Sequence, residues 1–154
     1  MSIAYIGIGS NLGDREKNCE RAIILLKKHG FIILKQSSMI ETEPWGVEDQ
    51  PAFINMAVSV ETTLSPEKLL TLLKESEINL GRTETLRWGP RIIDLDILFY
   101  DDLVMEKPDL SIPHPHIKDR DFVLRPLAEI APDLIHPVLK KSVKELLAKC
   151  LGTR

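Results

Sequence analysis

Apolar and small residues alternate along Ile3–Gly9, a period that predicts an opening β-strand. The period lengthens over Asp14–His29, where Cys19, Ala22, Ile23 and Leu26 share one helical face and Gly30 supplies a stop. Phe31–Thr42 is rich in β-branched and apolar residues and reads as a second strand, ended by Pro44 and Gly46. Phe53–Glu61 alternates again and predicts a third strand. Ser65-Pro66 offers an N-cap followed by proline in the first turn. Leu69, Leu70, Leu73 and Leu80 give the helix after it an apolar face, closed by Gly81. Ile92–Tyr100 is the last clear strand. A short helix around Phe122–Ile130 and an amphipathic one near Ser142–Leu151 complete the pattern.

The order β-α-β-β-α-β with a C-terminal extension predicts an α+β fold. The expected form is a ferredoxin-like sandwich, with helices on one face of a mostly antiparallel sheet. Nothing in the pattern divides the chain, so residues 1–154 are expected to form one domain. That architecture hosts enzymes, regulatory domains and RNA binders alike, so function has to be read from side chains.

Composition narrows the field. A formal charge of -3 and a pI near 5.8 argue against a partner nucleic acid held on a broad basic surface. An RNA-binding module also requires an RNP1-like string, which is missing. Cys19 and Cys150 lie in unlike contexts without a CxxC, so neither a disulfide framework nor a thiolate zinc site is expected. No apolar run has the length of a membrane span, and the N-terminus lacks the features of a signal peptide. The expectation is a cytoplasmic protein without a membrane partner.

Candidate chemistry concentrates in GRTETLRWGPRIIDLDILFYDD. Asp94 and Asp96 lie two apart in a predicted strand and so project from one face, leaving Leu95, Ile97 and Phe99 for the other. Adjacent carboxylates in an apolar run repel unless a cation lies between them, and hard oxygen ligands of this kind suit Mg²⁺. A solvated edge strand with two acids is the plain alternative. Arg82, Arg87, Arg91, Arg120 and Arg125 gather between positions 82 and 125, where only Lys107 and Lys118 represent lysine. Arginine suits bidentate phosphate contact, and the combination points to a polyphosphate. Ion pairing of Arg91 with Asp94 or Asp96 alone is the competing reading. Trp88, between Arg87 and Arg91, sits in a loop suited to a lid.

Other motifs are weaker. Gly7, Gly9 and Gly13 do not have GxGxxG spacing and read as a tight strand-to-helix turn of structural purpose; no P-loop motif occurs. His114 and His116 lack a third zinc ligand nearby, which leaves His114 as a candidate phosphate or base contact. His29 and His136 read as incidental. Phe53 and Asn55 lie two apart on one strand. They offer a stacking face and a paired donor and acceptor for a flat heterocycle, although a core Phe beside a capping Asn is the commoner use of such a pair. A regulatory domain would use the same pocket without the arginine-ringed carboxylates.

Taken in order, IGSNLGD, ETEPWG, the QPAFIN run, WGPRIIDLDIL and IPHPHIKDRDFVLRPLAEIAP resemble the 6-hydroxymethyl-7,8-dihydropterin pyrophosphokinases of folate biosynthesis, from about Ala4 to Pro137. The resemblance implies a monomeric ferredoxin-like enzyme that transfers pyrophosphate from ATP to a reduced pterin and releases AMP, using two Mg²⁺ ions. By position, Asp94 and Asp96 resemble the metal ligands, and Arg82 and Arg91 the catalytic arginines on the triphosphate. Glu77, Trp88, Ile97, Ser111, His114 and Arg120 resemble further ATP contacts. Thr42, Glu43, Trp45, Phe53, Asn55, Trp88, Asp94 and Phe122 resemble the pterin pocket. Pro115 stands where some members carry tyrosine, and Lys74 where some carry glutamine.

Overall fold

The computed structural model describes residues 1–42, 52–81 and 92–152. Among these residues seven strands and four α-helices follow one another: β1 (Ser2–Ser10), α1 (Arg15–Lys28), β2 (Ile32–Gln36), β3 (Ile40–Thr42), β4 (Phe53–Thr62), α2 (Pro66–Asn79), β5 (Asp94–Tyr100), β6 (Met105–Lys107), β7 (Leu110–Ile112), α3 (Asp121–Ile130) and α4 (Val143–Gly152). The main sheet runs β2-β4-β1-β5, every pair antiparallel, with β3 also on β4. The antiparallel α+β sheet agrees with the expected ferredoxin-like class. The Ser65 cap holds, its hydroxyl accepting from the Lys68 amide; the Asp14 side chain caps α1 in the same way, accepting from the Lys17 amide, and each satisfies a first-turn N–H. Among the described residues no helix is long and apolar enough to cross a membrane.

Helices cover both faces of the sheet, where the sequence suggested one. On one side α1 and α2 pack over Ala4, Ile6, Ile8, Leu95 and Ile97; Cys19, Leu26, Leu69 and Leu73 fill the layer. On the other side, Leu124 and Leu127 of α3 and Val143 and Leu146 of α4 pack over Ala57, Leu98 and Phe99. The C-terminal extension is therefore a structural layer. Without it, Leu98 and Phe99 would face water at roughly 2 kcal/mol for each side chain.

Three local expectations are corrected. The second strand, read as one run over Phe31–Thr42, is broken at Ser37–Met39, and its register on β4 shifts between Ile33 and Lys35 and again between Gln36↔Val58 and Ile40↔Asn55. The break is held by specific bonds. The Ala57 amide donates to the Ser37 hydroxyl, and the Ser38 amide and hydroxyl both donate to the Glu129 carboxylate on α3. Phe99, assigned to the face of Leu95 and Ile97, lies with Leu98 in the opposite core, because the β1–β5 register slips by one between Tyr5 and Ile6. An extra residue in one strand moves every later side chain to the other face. Gly7 and Gly9, read as part of a turn, lie inside β1 in the middle of the sheet; only Gly13 (φ 73°) is in the turn.

Candidate active site

β1, β4 and β5 present a shared patch on the α3 side of the sheet. The pairing sets Asn55, Gly9 and Asp94 in one cross-strand row and Ala57, Gly7 and Asp96 in the next. The period of two put both carboxylates on one side, as expected. Each faces a glycine, so no side chain of β1 stands between β4 and β5 in these rows. Neighbouring strands are spaced by about 4.8 Å, which places the Asn55 and Asp94 backbones roughly 10 Å apart across bare glycine. The surface is a shallow floor with an amide at one end and a carboxylate at the other.

Asn55 is oriented from β3. Its Nδ2 donates to the Thr42 hydroxyl at 2.8 Å, which turns Oδ1 over β1, only 2.8 Å from the position a Cβ on Gly9 would take. Phe53, half-buried, shares the Asn55 face of β4. Arg15 on α1 braces the ends of this region, donating to the Ala52 carbonyl at 2.7 Å and to the Glu41 carboxylate at 2.8 Å. No motif pointed to Arg15.

The opposite end carries positive charge. Burial pushes the Arg120 guanidinium down from its ordinary pKa, while the negative charges of Asp96, Asp94 and Asp119 pull it back up. Arginine stays protonated under any such shift, so Arg120 is a fixed cation within the field of both carboxylates. Its Cζ lies 5.7 Å from the centre of the Phe122 ring, within cation–π range. Arg120 and Phe122 flank the start of α3, on the Asn55 side of the sheet. Arg125, grouped with these arginines in the sequence, is exposed on α3 and faces Asp121 at 3.9 Å.

His114 is held at the edge of β5, its amide donating to the Leu98 carbonyl at 3.0 Å. Burial first, then the charges of Arg120 and His116, push its imidazole down to about 4. It is neutral at pH 7. Nδ1 accepts from the His116 amide at 3.3 Å, so the ring proton sits on Nε2 and makes that atom a donor. Ser111 and His114 line a cavity of about 410 Å³ with Met105, Ile112, Val138 and Leu139.

Glu77, a nucleotide contact by resemblance, is anchored to the edge strand. It is 7% exposed, and its Oε2 accepts from the Leu95 amide at 2.8 Å, between the two aspartates in sequence. β5 is the sheet edge, and Glu77 satisfies one of its outward N–H groups. Ile97 is also buried on its side chain, in the α1/α2 core, so only its backbone can meet a ligand. His136 is not incidental. Its Nδ1 accepts from the Val138 and Leu139 amides, and its ring stands edge-on to Phe99, which fixes the turn after α3. Glu43, Trp45, Arg82, Arg87, Trp88 and Arg91 lie outside the described residues.

An antiparallel α+β sandwich with a glycine floor, paired carboxylates and a partly buried arginine defines a small-molecule site on a ferredoxin-like frame. Residues 5–132 match the 7,8-dihydro-6-hydroxymethylpterin-pyrophosphokinase (HPPK) family, and the chain belongs to that family. It is 50% identical over 130 residues to the 2-amino-4-hydroxy-6-hydroxymethyldihydropteridine pyrophosphokinase of Bacillus subtilis, covering 84% of this chain and 78% of the relative. The Aquifex aeolicus protein of the same name is 43% identical, over 94% of this chain and 90% of the relative. The mitochondrial folate synthesis bifunctional protein of Pisum sativum is 46% identical over 81% of this chain, which spans only 24% of that longer protein. The fold is that of a crystal structure of Plasmodium falciparum HPPK-DHPS, with a TM-score of 0.80 at 18% identity, covering 98% of this chain and 46% of that one.

Proposed function

We propose that the chain transfers pyrophosphate from ATP to 6-hydroxymethyl-7,8-dihydropterin in folate biosynthesis. The hydroxymethyl oxygen attacks the β-phosphorus, the bond from that phosphorus to the α,β-bridging oxygen breaks, and AMP leaves with the bridging oxygen. The hydroxyl proton passes to Asp94, in the row shared with Asn55, or to water. The products are the pterin diphosphate and AMP.

The observation that carries this reading is the double row Asn55–Gly9–Asp94 and Ala57–Gly7–Asp96, with the Arg120 cation in the field of its acidic end. Asn55 would take the amide-like edge of the pterin, with Phe53 and Phe122 stacking on its faces and Thr42 fixing the Asn55 carboxamide. Glu43, Trp45 and Trp88 complete the pocket by resemblance alone. Arg120 and the His114 Nε2–H would bind the triphosphate, with Arg82 and Arg91 stabilising its charge as the bond changes. Ser111 belongs to this nucleotide end, and the backbone of Ile97, on the edge strand, suits the base.

The acidic pair fits Mg²⁺ in its donor chemistry. Among the described residues no group of three or more His, Cys, Asp or Glu side chains converges. A pair of carboxylates leaves most of a six-oxygen shell to water and phosphate, as magnesium prefers. Asp94 and Asp96 would hold the metal, which when bound neutralises phosphate charge and lowers the pKa of the attacking hydroxyl.

The test is product identity. Incubation with ATP, Mg²⁺ and the reduced pterin should give AMP in step with pterin diphosphate; ADP as the nucleotide product would overturn the reaction. Asp96→Ala should lower turnover by about 100-fold or more while the unfolding midpoint holds, since the residue is half-exposed and outside both cores. Full activity in that variant would remove Asp96 from the metal site.

A further inference from the structure

We infer that Gly9 is the positioning residue of the heterocycle site: because it has no Cβ, the Asn55 carboxamide can lie across β1 and aim its Oδ1 toward the Asp94 end of the row. The inference rests on the proposed role of Asn55 and deepens it. A Cβ built on Gly9 meets Asn55 Oδ1 at 2.8 Å, closer than real Cβ contacts come. Its next neighbours, the Ile54 carbonyl and Phe53 Cδ1, stand at an ordinary 3.7 Å. The backbone itself would therefore tolerate a methyl group here, and the conflict is with one flexible side-chain end.

That side chain has a defined place to lose. Asn55 is held by its 2.8 Å bond to the Thr42 hydroxyl, and swinging Oδ1 away from position 9 breaks that geometry. Gly9 is buried and paired on both sides near the end of β1, where glycine weakens a sheet, so a strand-stabilising residue has been forgone at this position. No turn accounts for it, because β1 runs through Ser10 and Gly9 is not among the glycines with positive φ. Gly7, one row along, would meet only Leu98 at 3.4 Å or more, a contact with core and not with the site. Among the described glycines, only Gly9 sets a close Cβ contact against a polar group of the row.

The experiment compares Gly9→Ala, Asn55→Ala and the double variant in the full chain, measuring the Kd of the reduced pterin, the Kd of an ATP analogue and the thermal midpoint. Gly9→Ala should weaken pterin binding by about 10-fold or more, the scale of one misplaced hydrogen-bonding group. Nucleotide affinity should stay within about 2-fold of the parent. In the double variant the Gly9→Ala effect should largely disappear, because the group it displaces is gone. Equal losses of pterin affinity from Gly9→Ala with and without Asn55 would overturn the inference, since position 9 would then act on the ligand directly. Unchanged affinity in Gly9→Ala beside a weakened Asn55→Ala overturns it too, leaving the site reading intact. An Asn55→Ala protein that binds pterin normally overturns the site reading itself.

Discussion

His114 makes the pH dependence of stability a quantitative test of the site's electrostatics. Its imidazole is driven down to about 4 by burial, with Arg120 and His116 adding repulsion, whereas an unfolded histidine titrates near 6.5. The folded protein therefore keeps His114 neutral while the unfolded chain takes up a proton. Its contribution is complete above about pH 6.5, falls as the pH drops toward 4, and levels off below that. Linkage gives a loss of about 2 kcal/mol at pH 5 and about 3 kcal/mol at pH 4, relative to pH 8. His136 is also pushed down by burial and acts in the same direction. The comparison is therefore between the parent and His114→Gln, in which His136 is unchanged. Urea unfolding of both proteins without ligand, at pH 8, 6 and 5, should show the parent losing about 2 kcal/mol more than the variant between the extremes. Because burial outweighs Arg120 as the cause, Arg120→Gln should return only the smaller part of the shift when the imidazole is followed by NMR. Parallel pH profiles for parent and variant, or a His114 resonance titrating near 6.5, would refute the reasoning. The functional corollary is that Nε2–H remains a donor across the whole physiological range.

Two positioning residues give further expectations. Glu77→Ala strips the acceptor from the buried Leu95 amide and should cost about 2–3 kcal/mol, a fall in Tm of roughly 4–12 °C, with Glu77→Gln recovering most of it; a loss under about 0.5 kcal/mol would mean that the contact is incidental. Arg15→Met removes the brace to Ala52 and Glu41, on either side of residues 43–51, and should raise KM for the pterin several-fold without changing KM for ATP. Because the Glu41 partner is exposed, global stability should fall by no more than about 1 kcal/mol. An unchanged pterin KM would limit Arg15 to a structural role.

The parts of the fold that local period determines were legible. β1, β4, α1 and α2 each carry a clean apolar stripe, and the cap at Ser65 marks where α2 begins. What local pattern could not show depends on partners distant in sequence. The break at Ser37–Met39 exists because Glu129, 91 residues on, captures Ser38. The change of face at Phe99 comes from a bulge that leaves no mark in a run of uniformly apolar residues. The second helical layer was visible as two short helices, but not as the cover for Leu98 and Phe99.

The site divides in the same way. Asp94 and Asp96 could be found because a charge pair in a strand is costly enough to need a reason, and the period of two states the face. Asn55 and Phe53 follow from the same period. Arginines did not sort themselves: Arg120 and Arg125 are five apart, and only the start of α3 decides that one enters the field of the carboxylates while the other turns to solvent. Glu77 entered by resemblance alone, and nothing in the helical pattern marks it as a partner of the Leu95 amide. Its burial depends on the unfilled edge of β5, a tertiary fact. Glycine misled most, because its commonest use is in turns and its meaning here is an absence. Gly9 matters for the side chain it does not place between β4 and β5, and that omission acquires value only once Asn55 and Asp94 are aligned across it. Reactive side chains can be nominated from sequence because they carry chemistry of their own. The space they act across belongs to the sheet, and it is set by register.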